Sequence, residues 1–279
     1  MFDDLVNAAV EAAHAGAEIL SDSFRKEGRE VCAKGEHDWV SAADRESEAA
    51  IAEELRRRFP DHQVLGEEGG LQGAGVSEFR WIVDPLDGTT NFLRGLPFYA
   101  VSIACQMQGR TVAGVVYDPE RRELFHAQRG EGAFLDGAPI TVSGQAGLDG
   151  ACLATGFPFR ARGALDAYLK TFHDIFLRAG SVRRCGSAAL DLAYTAAGTF
   201  DGFWEFRLSP WDTAAGALLI EEAGGRVSNL DGGAEIFASG NVVAGNRAVH
   251  EELLETLRMT VSEDLLLARD PGGALPQSV

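Results

Sequence analysis

Near the start of the chain, Leu5, Ala9, Ala12, Ala13, Ile19 and Leu20 fall on one stripe at helical spacing. This predicts a long amphipathic helix ending near Gly28, with Gly16 on the same stripe where a neighbouring element can approach closely. A second helix is expected from Ala43 to Phe59, with Ile51, Leu55 and Phe59 inward and Pro60 closing it. Gly66 to Gly75 reads as a glycine-rich acidic loop, and Trp81-Ile82-Val83 as a short strand stopped by Asp84-Pro85. From Phe98 to about Ile140 the pattern is antiparallel. Tyr99 to Met107 and Thr111 to Tyr117 flank a Gln108-Gly109 turn, Asp118-Pro119 turns again, Leu124 to Ala127 runs back, and Asp136-Gly137 signals another hairpin.

After about residue 145 strands and helices alternate. Strands are expected at Cys152-Leu153-Ala154, Ser181-Val182-Arg183, Gly202-Phe203-Trp204 and Val242-Val243. Helices are expected over Leu165–Leu177, Ser187–Ala197, Trp211–Ala223 and Ala248–Arg258. The change of rhythm predicts two sheet-containing halves flanked by helices, residues 1–145 and 146–265. Residues 266–279 read as a flexible tail, frayed from Asp270 on, and no internal repeat is visible.

Composition narrows the class. A hydrophobic content of 46% is that of a globular protein. The 42 acidic against 25 basic side chains give a net charge of −17, a field that repels nucleic acid and anionic membranes. An acidic protein that handles anions must bring in positive charge, most simply as bound cations. Cys32, Cys105, Cys152 and Cys185 are scattered without a Cys-x-x-Cys pair, which predicts buried free thiols in a reducing compartment. The opening Met1-Phe2-Asp3-Asp4 carries no secretory signal pattern, and no run of about 18 apolar residues suggests a membrane span. The cytoplasm is the expected location.

Three segments carry candidate chemistry. Asp84-Pro85-Leu86-Asp87-Gly88-Thr89-Thr90-Asn91-Phe92 follows an apolar strand. A strand-to-helix turn with Asp87 as cap explains Asp87 and Gly88, but leaves Asp84 as a second carboxylate with no basic partner in the segment. A hard cation resolves this: Mg²⁺ takes carboxylates, a peptide carbonyl such as that of Leu86, and water. The Gly88 and Thr89 amides, opening the next element, can then hold phosphate. Gly66-Glu67-Glu68-Gly69-Gly70, taken alone, reads better as a solvated surface turn. In Ser209-Pro210-Trp211-Asp212, the acid is also good helix-capping chemistry. None of the six histidines pairs at metal-ligand spacing, which argues against zinc or a phosphohistidine.

In this order, Gly66-Glu67-Glu68, Asp84 to Phe92 and Trp211-Asp212-Thr213-Ala214-Ala215-Gly216 resemble the motifs of the inositol monophosphatase family, within the lithium-sensitive, metal-dependent phosphatases. The resemblance runs from the first helix to about residue 258 and shows no departure at a metal-ligand position. It implies an αβαβα sandwich like that of fructose-1,6-bisphosphatase, with an antiparallel sheet in the first half and a mixed sheet in the second, usually as a homodimer. It also implies two or three Mg²⁺ per site. One would be held by Glu67, Asp84 and the Leu86 carbonyl, a second by Asp84, Asp87 and Asp212, and a weaker third would sit near Glu67. Gly88 and Thr89 would bind phosphate, and Thr89 with Asp44 would orient a metal-activated water that attacks phosphorus in line. Without the resemblance, Asp44 is as well read as an ordinary charge near a helix start. Lys34 and Asp38 match further active-site positions, but equally suit a solvated charge and a turn residue.

Substrate choice is carried by the same resemblance. Thr90-Asn91-Phe92 resembles inositol phosphatases rather than nucleotide-phosphate or histidinol-phosphate relatives. Glu205 matches a carboxylate that accepts inositol hydroxyls, and otherwise reads as an exposed strand-end charge. Gly186-Ser187-Ala188 matches a backbone lining the sugar-alcohol site, and otherwise reads as a helix N-terminus. Arg184 suits a structural or dimer-interface ion pair as well as a substrate clamp. The expected activity is Mg²⁺-dependent hydrolysis of inositol monophosphate, with a range that extends to small polyol and sugar phosphates. The alternatives are a related phosphatase acting on fructose bisphosphate, histidinol phosphate or NADP, and a non-catalytic regulatory protein on the same fold.

Overall fold

The computed structural model describes residues 2–26, 31–35, 38–73, 75–159 and 162–260. Gly28 and the expected tail lie outside them, as do the side chains of Lys34 and Asp38. In chain order the elements are α1 (Asp3–Ser23), β1 (Val31–Gly35), β2 (Asp38–Ser41), α2 (Ala42–Arg58), β3 (Gln63–Gly66), β4 (Gly70–Gln72), β5 (Phe79–Asp87) and α3 (Thr89–Leu93). The long meander follows as β6 (Ala100–Met107), β7 (Arg110–Asp118), β8 (Glu123–Gln128), β9 (Gly132–Leu135) and β10 (Ala138–Ile140). Then come β11 (Cys152–Thr155), α4 (Leu165–Phe176), β12 (Ser181–Arg183), α5 (Ala188–Ala196), β13 (Gly202–Glu205), α6 (Pro210–Glu222), β14 (Arg226–Ser228), α7 (Ile236–Ser239), β15 (Val242–Gly245) and α8 (Arg247–Thr260).

Eight strands form the first sheet in the order β10-β9-β8-β7-β6-β5-β3-β4, antiparallel except for the β3–β5 pair. Five form the second, β12-β11-β13-β15-β14, which is parallel through its first three strands and antiparallel beyond. Helices α1 and α2 cover one face of the large sheet, and α5 and α6 fill the layer between the sheets. On the far side, α8 covers the small sheet and packs against α4. The expected αβαβα sandwich is therefore the observed one. The middle layer explains why α6 lacks a polar face: Thr213 to Ile220 are all buried, because a helix between two sheets has no solvent side.

Several boundaries differ from expectation. Helix α1 stops at Ser23, where Phe24 turns to an extended conformation and packs its ring against Phe92 and Tyr99, so tertiary contact ends the helix early. The expected Gly66–Gly75 loop is partly a tight β3–β4 hairpin. Strand β5 does not stop at Asp84-Pro85 but runs to Asp87 through an irregularity. Cys105 is buried, whereas Cys152 and Cys185 are only half-buried, contrary to the expectation for all the thiols.

Candidate metal centre and active site

The β5 irregularity builds the site. Asp84 pairs with Ser102 and Asp87 with Ala100, so three steps along β5 match two along β6. In a regular strand residues three apart face opposite sides; one extra residue restores the same side. Pro85, which cannot donate to a ladder, sits inside this bulge. Asp84 then accepts the Leu86 N–H at 3.0 Å. Gly88 follows at φ 97°, a left-handed conformation in which a Cβ would come within 3.0 Å of the Phe98 carbonyl.

The third carboxylate arrives from the middle layer. Ser209 and Asp212 form a capping box at the start of α6, and the Ser209 N–H donates to Asp212 at 2.7 Å. Each of Asp84, Asp87 and Asp212 offers a carboxylate oxygen, and these lie within 4.8 Å of one another. Glu67 stands outside that group of three but lines the same cavity of about 600 Å³. Among the described residues, the cavity is also lined by Leu86, Gly88, Thr89, Arg184, Gly186, Ser187, Ala188 and Glu205.

Concentrated negative charge shows in the protonation equilibria. Burial, then the charges of Glu67, Asp87 and Asp212, hold the Asp84 carboxyl well above the usual range; the Leu86 amide opposes them. Asp87 is pushed up to about 7 by desolvation and by Asp212, against hydrogen bonds from the Ser187 hydroxyl and the Ala189 N–H. These two donors, at the start of α5, fix the Asp87 carboxylate across a hundred residues of chain. Three mutually repelling carboxylates at this spacing suit a divalent cation with oxygen ligands.

Asp44 uses the same capping device as Asp212. One oxygen accepts the Ser41 N–H at 2.9 Å and the Ser41 hydroxyl, and the other faces the Thr89 hydroxyl at 3.3 Å. The Thr89 hydroxyl is shared with the Leu86 carbonyl at 3.1 Å.

At the outer end of the cavity, Gly186 is left-handed at φ 98°, and the Arg184 guanidinium lies over the exposed Phe159 ring at 5.5 Å. Glu205, the last residue of β13, is half-buried against Gly156, where a Cβ would collide with its carboxyl. Sequence reasoning missed Asp191, buried in the cavity wall with Oδ1 lacking a hydrogen-bond partner. Burial first, then the Glu205 charge, holds its carboxyl well above the usual range. The signal was an acid inside the apolar run Ala188 to Ala193. The aromatic wall of Phe157 and Phe159 was also missed, since apolar residues after a strand read simply as core.

The family model for the inositol monophosphatase family matches residues 1–262. The chain belongs to the inositol monophosphatase family. Within it, the chain is 47% identical over 259 residues to a protein of Pseudomonas aeruginosa named Nus factor SuhB, covering 91% of this chain and 96% of that one. It is 46% identical over 259 residues to an inositol-1-monophosphatase of Mesorhizobium japonicum, covering 92% and 97%. The crystal structure of the extragenic suppressor protein suhB from Bartonella henselae superimposes with a TM-score of 0.90 at 42% identity, covering 93% of this chain and all of that one. Inositol monophosphatases are Mg²⁺-dependent in general, and the buried acidic group is chemically fit for that ion.

Proposed function

We propose that the protein is a Mg²⁺-dependent phosphomonoesterase that hydrolyses inositol monophosphate to inositol and phosphate, with a range extending to other small polyol and sugar phosphates. The observation that carries this reading is the meeting of Asp84, Asp87 and Asp212 beside the Asp44–Thr89 pair. Two or three ions are assigned to the site, with Glu67, Asp84 and the Leu86 carbonyl holding one and Asp84, Asp87 and Asp212 another. Bound Mg²⁺ would supply charge for the phosphoryl oxygens and acidify water.

The remaining work falls to the chain. The Gly88 and Thr89 amides receive the phosphoryl oxygens. Thr89, donating to Asp44, presents its oxygen lone pair to the attacking water and draws the water's proton toward that carboxylate. Water adds to phosphorus, the ester P–O bond breaks, and the departing inositol oxygen takes a proton from solvent. Glu205 accepts inositol hydroxyls, and the Gly186-Ser187-Ala188 backbone shapes the same end. Arg184, held over Phe159, is placed to meet an anionic or polyhydroxylated substrate edge. The homodimer stays in this reading.

A second reading has one observation behind it: the Pseudomonas aeruginosa relative bears the name Nus factor SuhB. On this reading the chain is a regulatory binding protein on the same fold. The net charge of −17 weighs against direct phosphate-backbone binding. In the described residues no helix is long and apolar enough to cross a membrane, and a cytoplasmic location suits either reading. Phosphate release from a panel of monoesters, with and without Mg²⁺, separates the cases. Inositol 1-phosphate leading the panel supports the proposal; another ester leading points to a related phosphatase. No turnover at millimolar Mg²⁺ favours the regulatory reading.

A further inference from the structure

Helix α2 meets the metal centre at three successive points on one face. Asp44 faces Thr89, the Ser47 hydroxyl donates to the Pro85 carbonyl at 3.2 Å, and Glu48 reaches the β3–β4 turn. Glu48 is 4% exposed, and its carboxylate accepts the Glu68 N–H at 2.8 Å and the Gly69 N–H at 2.7 Å. Those amides belong to the two residues directly after Glu67. Gly66 and Gly69 make room for the carboxylate: a Cβ at either would collide with it. Gly70, at φ 63°, completes the turn.

We propose that Glu48 is a positioning residue for Glu67: it staples the β3–β4 turn to α2 and so sets the affinity of the centre for a divalent cation. The inference rests on the metal reading given above. A turn of sequence Glu67-Glu68-Gly69-Gly70 has wide backbone freedom, which cation binding would otherwise have to remove. Two charge-assisted hydrogen bonds from its amides to one buried carboxylate remove that freedom beforehand. They also tie the turn to the helix that carries Asp44, so Glu67 and the Asp44–Thr89 pair share one frame. An acid four residues beyond Asp44 has the spacing of the same helix face, but nothing in the sequence says that it points at backbone amides rather than solvent.

The test is Mg²⁺ binding by titration calorimetry on the full chain, without substrate. Glu48→Gln keeps the shape but turns an NH₂ group toward one of the two amides; Gly66→Ala keeps the charge and pushes the carboxylate away. Both variants should weaken Mg²⁺ binding by about 10- to 100-fold, the usual cost of losing a partner that orients a ligand. Circular dichroism establishes that each is folded. In the double variant with Glu67→Gln, Glu48→Gln should add little, because it acts through the residue already removed. Wild-type affinity in the folded single variants would overturn the proposal. So would a loss confined to Glu48→Gln, which would mark a bare charge effect, or full additivity with Glu67→Gln. A wild-type protein that binds no Mg²⁺ would instead defeat the metal reading, and this inference with it.

Discussion

The Asp44 carboxylate faces the Thr89 hydroxyl at 3.3 Å across 45 residues of sequence, while its other oxygen caps the helix it stands on. One side chain thus serves helix start and site together. The Ser41 bonds hold the carboxylate in place, and Thr89 receives its remaining side.

These two duties should separate by mutation. Asp44→Asn removes the acceptor that draws the proton, and turnover should fall by about 10²–10⁴-fold, the range for lost general-base assistance. Ser41→Ala should cost about 1 kcal/mol of stability, as for a lost cap, and keep most of the turnover. Steady-state kinetics alongside thermal melts check both. A Ser41→Ala enzyme as inactive as Asp44→Asn would mean that the carboxylate works only as a cap.

Asp87→Asn should lower turnover by about a hundredfold or more, since it removes one carboxylate charge from the proposed metal centre. Folding should survive, because an uncompensated charge has also left a crowded site. Melts in EDTA are therefore expected to be equal to or above wild type, with the Mg²⁺-induced rise in Tm reduced. A large loss of Tm in EDTA would show that the Ser187 and Ala189 bonds to Asp87 are needed for folding itself.

Protonation gives a pH signature of the metal-free protein. The Asp87 carboxyl titrates near 3.8 when unfolded and is pushed up to about 7 when folded. Between those values the folded chain holds a proton that the unfolded chain has released, so stability falls as pH rises through this window. Asp84, also raised, acts in the same direction. Burial lowers His62, His126 and His250, which act the opposite way, so the signature is the Tm of wild type minus that of Asp87→Asn in EDTA. This difference should drop from pH 5 to pH 8, and millimolar Mg²⁺ should recover the wild-type loss at pH 8 by occupying the same carboxylates. A difference that rises over this interval contradicts the charge crowding described here.

Glu205→Gln should change substrate ranking more than chemistry. An amide offers one acceptor where the carboxylate offers two, so KM for inositol 1-phosphate is expected to rise about tenfold, with a smaller effect on glycerol 2-phosphate. An equal effect on both esters would remove Glu205 from polyol recognition and leave it as a wall against Gly156.

Much of this centre was legible in the chain. Asp212 could be placed because Ser209-Pro210-Trp211-Asp212 is a helix start whose third residue is acidic, and that is how it folds. Asp84 and Asp87 were read as paired, but their convergence depends on a bulge that pairing with β6 creates, and no local pattern announces it. The first helix was drawn too long because its stop comes from Phe24 packing on Phe92 and Tyr99, a contact between distant segments. The short elements β14 and α7 were missed because three or four residues cannot display a period. The places of Glu48 and Asp191 at the site were hidden for a related reason: a buried acid on a helix looks like any other until its neighbours are known.

The proposed centre holds divalent cations between distant carboxylates, and manganese diffraction would see them directly. Crystals soaked in Mn²⁺ should give anomalous peaks bounded by Asp84, Asp87 and Asp212, with a further peak toward Glu67 and the Leu86 carbonyl. Well-ordered crystals with Mn²⁺ elsewhere, and no anomalous density among these carboxylates, would contradict it.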